Sequence, residues 1–185
     1  MAFKSIKLIS LLAIIATALS SNAFADSVKI GSLSAVTGPI AKLVPPIING
    51  SKLAIKQING QGGVLGGKQL ELIVGDTGCN AQASVDAATK LVNVEQVVAI
   101  VGALCSGATI GAANNVAIPS NVVMVSPAST SPEITGLNDN DLIFRVAPTD
   151  AYQGKVLAKY VKDKGINSVA VTYVNNDYGV GLAET

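Results

Sequence analysis

From Val28 onward, the sequence alternates short apolar runs with longer segments whose apolar residues recur at helical spacing. The run 97–101 is continuously apolar, which is typical of a strand buried on both faces of a parallel sheet. Other runs of strand character span residues 28–33, 70–74, 122–125, 142–146 and 168–174. Helical segments cover residues 47–59, 81–92, 106–116 and 149–164. This order predicts an α/β fold in which helices flank both faces of a parallel sheet.

The N-terminal residues follow a different pattern. Lys4 and Lys7 precede an uncharged apolar run over residues 8–19, and the small-x-small tripeptide 23–25 follows it. The run is too short to cross a bilayer core as a helix. Lysines on only one side argue against the alternative, a buried core helix. The pattern predicts a secretory signal peptide that is cleaved after Ala25 and delivers the chain to an oxidising compartment.

The chain contains no His, and this absence excludes several classes of function. It rules out Ser-His-Asp and Cys-His catalysis and every His-ligated metal site. The 13 basic and 12 acidic residues give a net charge of +1, whereas nucleic-acid binding needs clustered Lys and Arg. We therefore expect no catalysis of those kinds, no metal, no cofactor and no nucleic-acid partner.

Loops that follow four of the predicted strands are rich in glycine and small hydroxyl residues. They span residues 34–39, 75–79, 102–107 and 126–130. Ligands of open parallel sheets bind outside the carboxyl ends of the strands, so these loops form the candidate site. Their backbone N–H groups and their Ser and Thr hydroxyls favour an anion such as a carboxylate.

Cys79 and Cys105 lie in two of these loops, separated by one helix and one strand. Because the chain carries an export signal, we expect a disulfide between them, with two free buried thiols as the alternative. A catalytic cysteine is disfavoured because there is no His to activate it.

Three other features have plainer interpretations. The glycine-rich segment 61–67 precedes a strand and lacks the Gly-Lys-Ser/Thr ending of a phosphate-binding loop, so we interpret it as a turn. Asp76, Asp139 and Asp141 match no calcium-loop spacing, which leaves caps and solvated turns as the preferred interpretation. Residues 181–185 are typical of the first turn of a helix, and we expect the chain to be an N-terminal fragment.

A set of segments, taken in order, carries a family resemblance. They are Ile30-Gly31 through Thr37-Gly38-Pro39, Asn49-Gly50 with 58–63, then 76–79, 102–106, 126–135, 144–150 and Asp177-Tyr178-Gly179. Together they resemble the type I periplasmic solute-binding proteins of ABC importers, in the leucine/isoleucine/valine-binding group. The ordered set is specific and covers nearly the whole chain after Ala25, although each segment alone is a weak signal.

The resemblance implies two α/β lobes that close on a ligand like a hinged clamp. Residues 1–25 are then the signal peptide, and residues 26–146 form an N-terminal lobe that is complete or nearly so. The first interlobe crossover is expected at residues 147–149. Residues 150–185 begin a second lobe that is truncated here.

The resemblance also implies the site residues. It pairs Cys79 with Cys105 and places Cys105 beside the ligand. It implies that Ser106 and Thr130 bind the ligand carboxylate and that the Ala128 carbonyl accepts from the α-ammonium. Tyr178 is then the aromatic residue of the second lobe that covers the ligand. The chain departs from the family at Leu43, which with Pro45-Pro46 replaces an aromatic residue of the side-chain pocket.

The function implied is the periplasmic substrate-binding component of an ABC transporter, with an inner-membrane permease as its partner. Its ligand is expected to be an amino acid or a related small carboxylate, and the protein is expected to be a monomer and not an enzyme. One alternative is an extracellular ligand-sensing domain of a receptor with the same fold. An exported hydrolase that uses Ser106 or Ser126 is disfavoured, because Ser106 has no base and there is no nucleophile elbow.

Overall fold

Strand β1 (Val28–Ser34) lies inside a parallel sheet in the computed structural model, which describes residues 27–185. It pairs with β2 (Leu70–Asp76) on one side and with β3 (Ala99–Gly102) on the other. Beyond β3 follow β4 (Val123–Ser126) and β5 (Ile143–Arg145), so the sheet order is β2-β1-β3-β4-β5. The predicted α/β fold with a parallel sheet is confirmed. The predicted signal peptide and its cleavage site lie outside the described residues.

The helices are α1 (Val44–Gly60), α2 (Ala81–Thr89), α3 (Ser106–Ala112), α4 (Asp150–Asp163) and α5 (Asp177–Ala183). Two of them continue into single π-helical turns, Lys90–Val94 after α2 and Ala113–Ala117 after α3. The Asn80 side chain accepts a hydrogen bond from the backbone N–H of Ala83, which fixes the start of α2. Short 3-10 turns cover Ala41–Leu43 and Pro132–Gly136.

The core lies between the sheet and the helix pair α2 and α3. Leu33, Ile100 and Met124 project from three neighbouring strands and are almost completely buried in it. A second, smaller cluster joins Val44 of α1 to Ala35 and Leu104. Apolar burial on this scale, not intrinsic helix propensity, holds short helices such as α3 in place.

The predicted strand over residues 168–174 is wrong for this structure. That segment has no regular secondary structure and pairs with no strand among residues 27–185. Val169 and Val171 are more than half exposed. A strand requires hydrogen bonds to a neighbour, and apolar alternation alone does not supply one. After this segment, the Asn176 side chain accepts the Gly179 N–H and caps α5, which begins at Asp177.

Across the described part of the chain, no helix combines the length and apolar character needed to span a bilayer.

Candidate ligand-binding site

The carboxyl ends of β1, β3 and β4 lie side by side, so the loops that follow them share one edge of the sheet. The chain reverses its order of strand addition between β1 and β3, and crevices at such switch points are where open α/β sheets bind ligands. The structure therefore brings the predicted loops 34–39, 102–107 and 126–130 to one place, as the sequence analysis expected.

Cys79 and Cys105 form a disulfide at this edge, with their Cα atoms 5.4 Å apart. They follow β2 and β3, which flank β1 on opposite sides, so the bridge passes across the end of β1. The predicted pairing is confirmed. The bridge ties the loop after β2 to the start of α3, and Cys105 directly precedes Ser106.

Ser126, at the end of β4, holds the following loop against the end of β3. Its hydroxyl donates to the Ala103 carbonyl at 2.6 Å and accepts from the Ser129 N–H at 3.0 Å. Ser129 is itself buried and its hydroxyl is hydrogen-bonded to that of Thr109 in α3, at 2.7 Å. These buried bonds fix the backbone from Ser126 to Ser129 before any ligand arrives.

Ser106, the first residue of α3, is only 2% exposed. Its hydroxyl oxygen accepts the Ser131 N–H at 3.2 Å. A serine hydroxyl carries one proton and two lone pairs, so this bond leaves the Ser106 proton free to be donated. The Ser106 hydroxyl thus has a proton available to donate, which is the capacity that its predicted role with a carboxylate requires.

Thr130 is oriented the opposite way. Its hydroxyl donates to the Asp150 carboxylate at 2.8 Å, and the Asp150 N–H donates back to the Thr130 carbonyl at 2.9 Å. With its one proton committed, the Thr130 side chain offers a ligand only lone pairs. Its backbone N–H is then the donor that position 130 offers a carboxylate.

Two residues that organise this loop were not identified as site residues from the sequence. Asp150 falls within the predicted helix 149–164 without a role in the site, although it is 3% exposed and bonded to Thr130. Arg145, at the end of β5, donates from Nη1 to the Ser131 carbonyl at 2.7 Å and from Nη2 to the Thr135 hydroxyl. Burial lowers the pKa of the Arg145 guanidinium, and the charge of Asp150 acts in the opposite direction. In the sequence, the available signal was that Asp150 follows Arg145 by five residues.

The other two predicted ligand residues, Ala128 and Tyr178, are both exposed, and they lie in different surroundings. Ala128 is exposed at the tip of the fixed loop, beside buried Ser129. Tyr178 is 44% exposed and lines an apolar groove of about 800 Å³ between α4, residues 166–174 and α5. None of Ser106, Ala128 and Thr130 lines that groove, whereas Asp177, the neighbour of Tyr178, lies against Gly107 at the start of α3.

The neighbouring loop after β2 is ordered by Asp76. Its carboxylate accepts the Thr37 hydroxyl at 2.7 Å and the Gly78 N–H at 3.0 Å. Burial acts to raise the pKa of Asp76, but the hydrogen bonds from Thr37 and Gly78 outweigh it and the net pKa is lowered. Asp139 serves a turn in the same manner, since it accepts the N–H groups of Asp141 and Ile143.

Comparison with known proteins gives this arrangement a family. A family model described as "Periplasmic binding protein" matches residues 27–185. A Leu/Ile/Val-binding protein of Citrobacter freundii is 34% identical over 172 residues, which cover 92% of this chain and 46% of that protein. A leucine-, isoleucine-, valine-, threonine- and alanine-binding protein of Pseudomonas aeruginosa is 38% identical over 163 residues, with 86% and 42% covered. The chain spans less than half the length of these curated relatives.

Solved structures share the fold. The branched-chain amino acid transporter substrate binding protein LivJ of Streptococcus pneumoniae, in complex with isoleucine, matches with a TM-score of 0.74 at 32% identity, covering 86% of this chain and 45% of that one. A solute binding protein of an ABC transporter from Rhodopseudomonas palustris BisB5, in complex with 3,4-dihydroxybenzoic acid, has a TM-score of 0.74 at 25% identity, with 86% and 42% covered. The sheet order, the disulfide and these matches show that the chain belongs to the type I periplasmic binding protein family, which includes the Leu/Ile/Val-binding proteins.

Proposed function

We propose that the full-length protein is the periplasmic substrate-binding component of an ABC transporter and that its ligand is an amino acid. The observation that carries the proposal is the opposite hydrogen-bond polarity of Ser106 and Thr130 at one edge of the sheet. An amino acid presents a carboxylate and an ammonium on the same carbon, and so it needs a donor and an acceptor side by side.

In this proposal Ser106 and the Thr130 N–H donate to the ligand carboxylate. The Thr130 hydroxyl oxygen and the Ala128 carbonyl accept from the ammonium. The preformed loop from Ser126 to Ser129 supports such binding, because groups that are already fixed lose less entropy when the ligand arrives. Cys105 borders the site through its bridge to Cys79.

The two-lobe organisation is part of the same proposal. Residues 26–146 form the first lobe, residues 147–149 the crossover, and residues 150–185 the beginning of the second lobe. Ligand binding shifts the population from an open to a closed form that a permease in the inner membrane recognises. Tyr178, in the first turn of α5, covers the ligand when the second lobe closes on the first. The protein acts as an exported monomer and performs no chemistry.

An aromatic carboxylate is the second candidate ligand, because one structural relative binds 3,4-dihydroxybenzoic acid. Such a ligand has a carboxylate for Ser106 but no ammonium for Thr130. The acceptor at position 130 would then face the ligand without a partner. That mismatch favours an amino acid, since a buried unpaired polar group weakens binding.

Isothermal titration calorimetry on the full-length protein tests the proposal. L-leucine, L-isoleucine and L-valine are titrated in parallel with 3,4-dihydroxybenzoate, and we expect an amino acid to bind more tightly. Ser106→Ala and Thr130→Ala should each weaken that binding by about 1–3 kcal/mol. The matched controls Ser120→Ala and Thr89→Ala remove exposed hydroxyls far from the site and should leave it unchanged. Unchanged affinity in both site variants would overturn the assignment.

A further inference from the structure

Asp150 lies at the junction between the expected crossover and the candidate site. It is the first residue of α4, it directly follows residues 147–149, and it is 3% exposed. Two hydrogen bonds join it to Thr130: the Thr130 hydroxyl donates to its Oδ2 at 2.8 Å, and its N–H donates to the Thr130 carbonyl at 2.9 Å. Both the backbone and the side chain of Thr130 are therefore held by one residue.

Other polar groups nearby do not compete for this carboxylate oxygen. The Arg145 guanidinium is directed to the Ser131 carbonyl and the Thr135 hydroxyl. The Thr149 hydroxyl accepts the Ala151 N–H as the cap of α4. The Thr130 hydroxyl is thus the side-chain donor to Asp150 Oδ2.

We propose that Asp150 is the positioning residue that makes this site select for a ligand with an α-ammonium group. It does so by drawing the Thr130 proton away from the ligand and leaving a hydroxyl oxygen that can only accept. The inference rests on the proposed function, because it concerns how the amino-acid site is tuned.

The chemistry of a hydroxyl explains why one carboxylate can set this preference. A threonine hydroxyl rotates freely unless a partner fixes its proton. Without Asp150 it can turn and donate to a carboxylate, and the acceptor for the ammonium is lost. The negative charge of Asp150 also favours a cation on the far side of the hydroxyl, because hydrogen bonds in a chain polarise one another.

The test compares ligands that differ only in the ammonium group. In the full-length protein, the dissociation constants are measured for three pairs: L-leucine with 4-methylpentanoate, L-valine with 3-methylbutanoate, and L-phenylalanine with 3-phenylpropanoate. The readout is how much more tightly the amino acid binds than its des-amino partner. Asp150→Asn is isosteric and replaces one acceptor oxygen by a donor. We expect it to reduce that ratio by about tenfold or more, chiefly through weaker amino-acid binding.

The matched control is Asp163→Asn, the same change on the same helix at an exposed residue that pairs with Lys159. It should leave the ratio unchanged. A purely structural role for Asp150 predicts that Asp150→Asn weakens both members of a pair equally. That result, with amino acids still binding the unsubstituted protein, would overturn the inference and leave the proposed function intact. An unsubstituted protein that binds none of the amino acids would overturn both.

A second pair of variants guards against an Asp150→Asn protein that does not fold. Thr130→Ser retains the hydroxyl and its bond to Asp150, so it should lower the ratio much less than Thr130→Val does. Thr130→Val removes the hydroxyl and should lower the ratio as far as Asp150→Asn does. Adding Asp150→Asn to Thr130→Val should lower it no further, because both act through one group. A Thr130→Val protein with the original ratio would contradict the inference.

Discussion

Asp177, the first residue of α5, lies against Gly107 in α3, so closely that a methyl group at position 107 would collide with the Asp177 carboxylate. A second close approach lies one turn further along α5, where a methyl group at Gly181 would stand 2.9 Å from the Ser131 hydroxyl. Two glycines thus let a helix of the expected second lobe reach the elements that carry Ser106 and Thr130.

This contact predicts coupling between positions 107 and 177. Gly107→Ala alone should lower the free energy of unfolding by about 1 kcal/mol, because the Asp177 side chain must turn away. In an Asp177→Ala background the same substitution should be neutral or stabilising, since alanine is a better helix former than glycine by up to about 1 kcal/mol. Chemical denaturation of the four full-length variants measures the difference. Equal effects in both backgrounds would show that the two residues do not interact.

The packing of α2 on the sheet predicts opposite effects for two glycine substitutions. A methyl group at Gly75 in β2 would lie 3.2 Å from Leu91 Cδ1 and 3.3 Å from the Ala87 Cβ. We expect Gly75→Ala to destabilise the protein by about 1–3 kcal/mol through overpacking.

Gly50 serves as the matched control, because it lies in α1 with no atom of the described residues within 4 Å of an added Cβ. Gly50→Ala should stabilise the protein by up to about 1 kcal/mol. Thermal melts of both variants measure these changes in stability. A Gly75→Ala protein as stable as the unsubstituted one would mean that α2 can move away from the sheet.

The Cys79–Cys105 bridge should contribute stability through the loop that it closes. The two cysteines are separated by 26 residues, and closing a loop of this size stabilises by about 3 kcal/mol in the chain-entropy treatment. Urea unfolding with and without dithiothreitol measures this difference. The double variant Cys79→Ala/Cys105→Ala should resemble the reduced protein under both conditions. A variant as stable as the oxidised protein would argue that the bridge contributes nothing.

The lowered pKa of Asp76 predicts that the free energy of unfolding decreases at acid pH. Its pKa is lowered in the folded protein by hydrogen bonds from Thr37 and Gly78, against the effect of burial. The unfolded chain therefore binds this proton at a higher pH than the folded one. The stabilisation is present above the unfolded pKa of about 4 and is lost as pH falls through the lower folded pKa.

Unfolding free energies measured from pH 6 to pH 2 should show this loss, and Asp76→Asn should show less of it. Thr37→Val removes the hydroxyl that donates to Asp76. The loss of unfolding free energy at acid pH should therefore become smaller, as in Asp76→Asn. Superimposable pH profiles for Asp76→Asn and the unsubstituted protein would contradict the prediction.

Much of the sheet was predictable because its strands coincide with short apolar runs that alternate with helical segments. A continuous apolar run such as 97–101 indicates a strand, and the alternation with helices then favours parallel connections. The expected burial on both faces is wrong for this run, because Val98 is 60% exposed. The strand predicted at 168–174 is a case in which an apolar run did not form a strand. Its residues have the same β-branched character, yet pairing depends on a neighbouring strand, and none of residues 27–185 provides one.

The sequence by itself determined the order of elements, the edge where the ligand loops gather, and the identity of Ser106 and Thr130 as candidates. These follow from local periodicity, turn chemistry and family motifs, which act over a few residues at a time. The tertiary structure alone decided which hydroxyl donates and which accepts. That polarity depends on Ser131 reaching Ser106 and on Asp150 reaching Thr130. A hydroxyl proton follows its strongest acceptor, and only the folded chain brings that acceptor within hydrogen-bond distance.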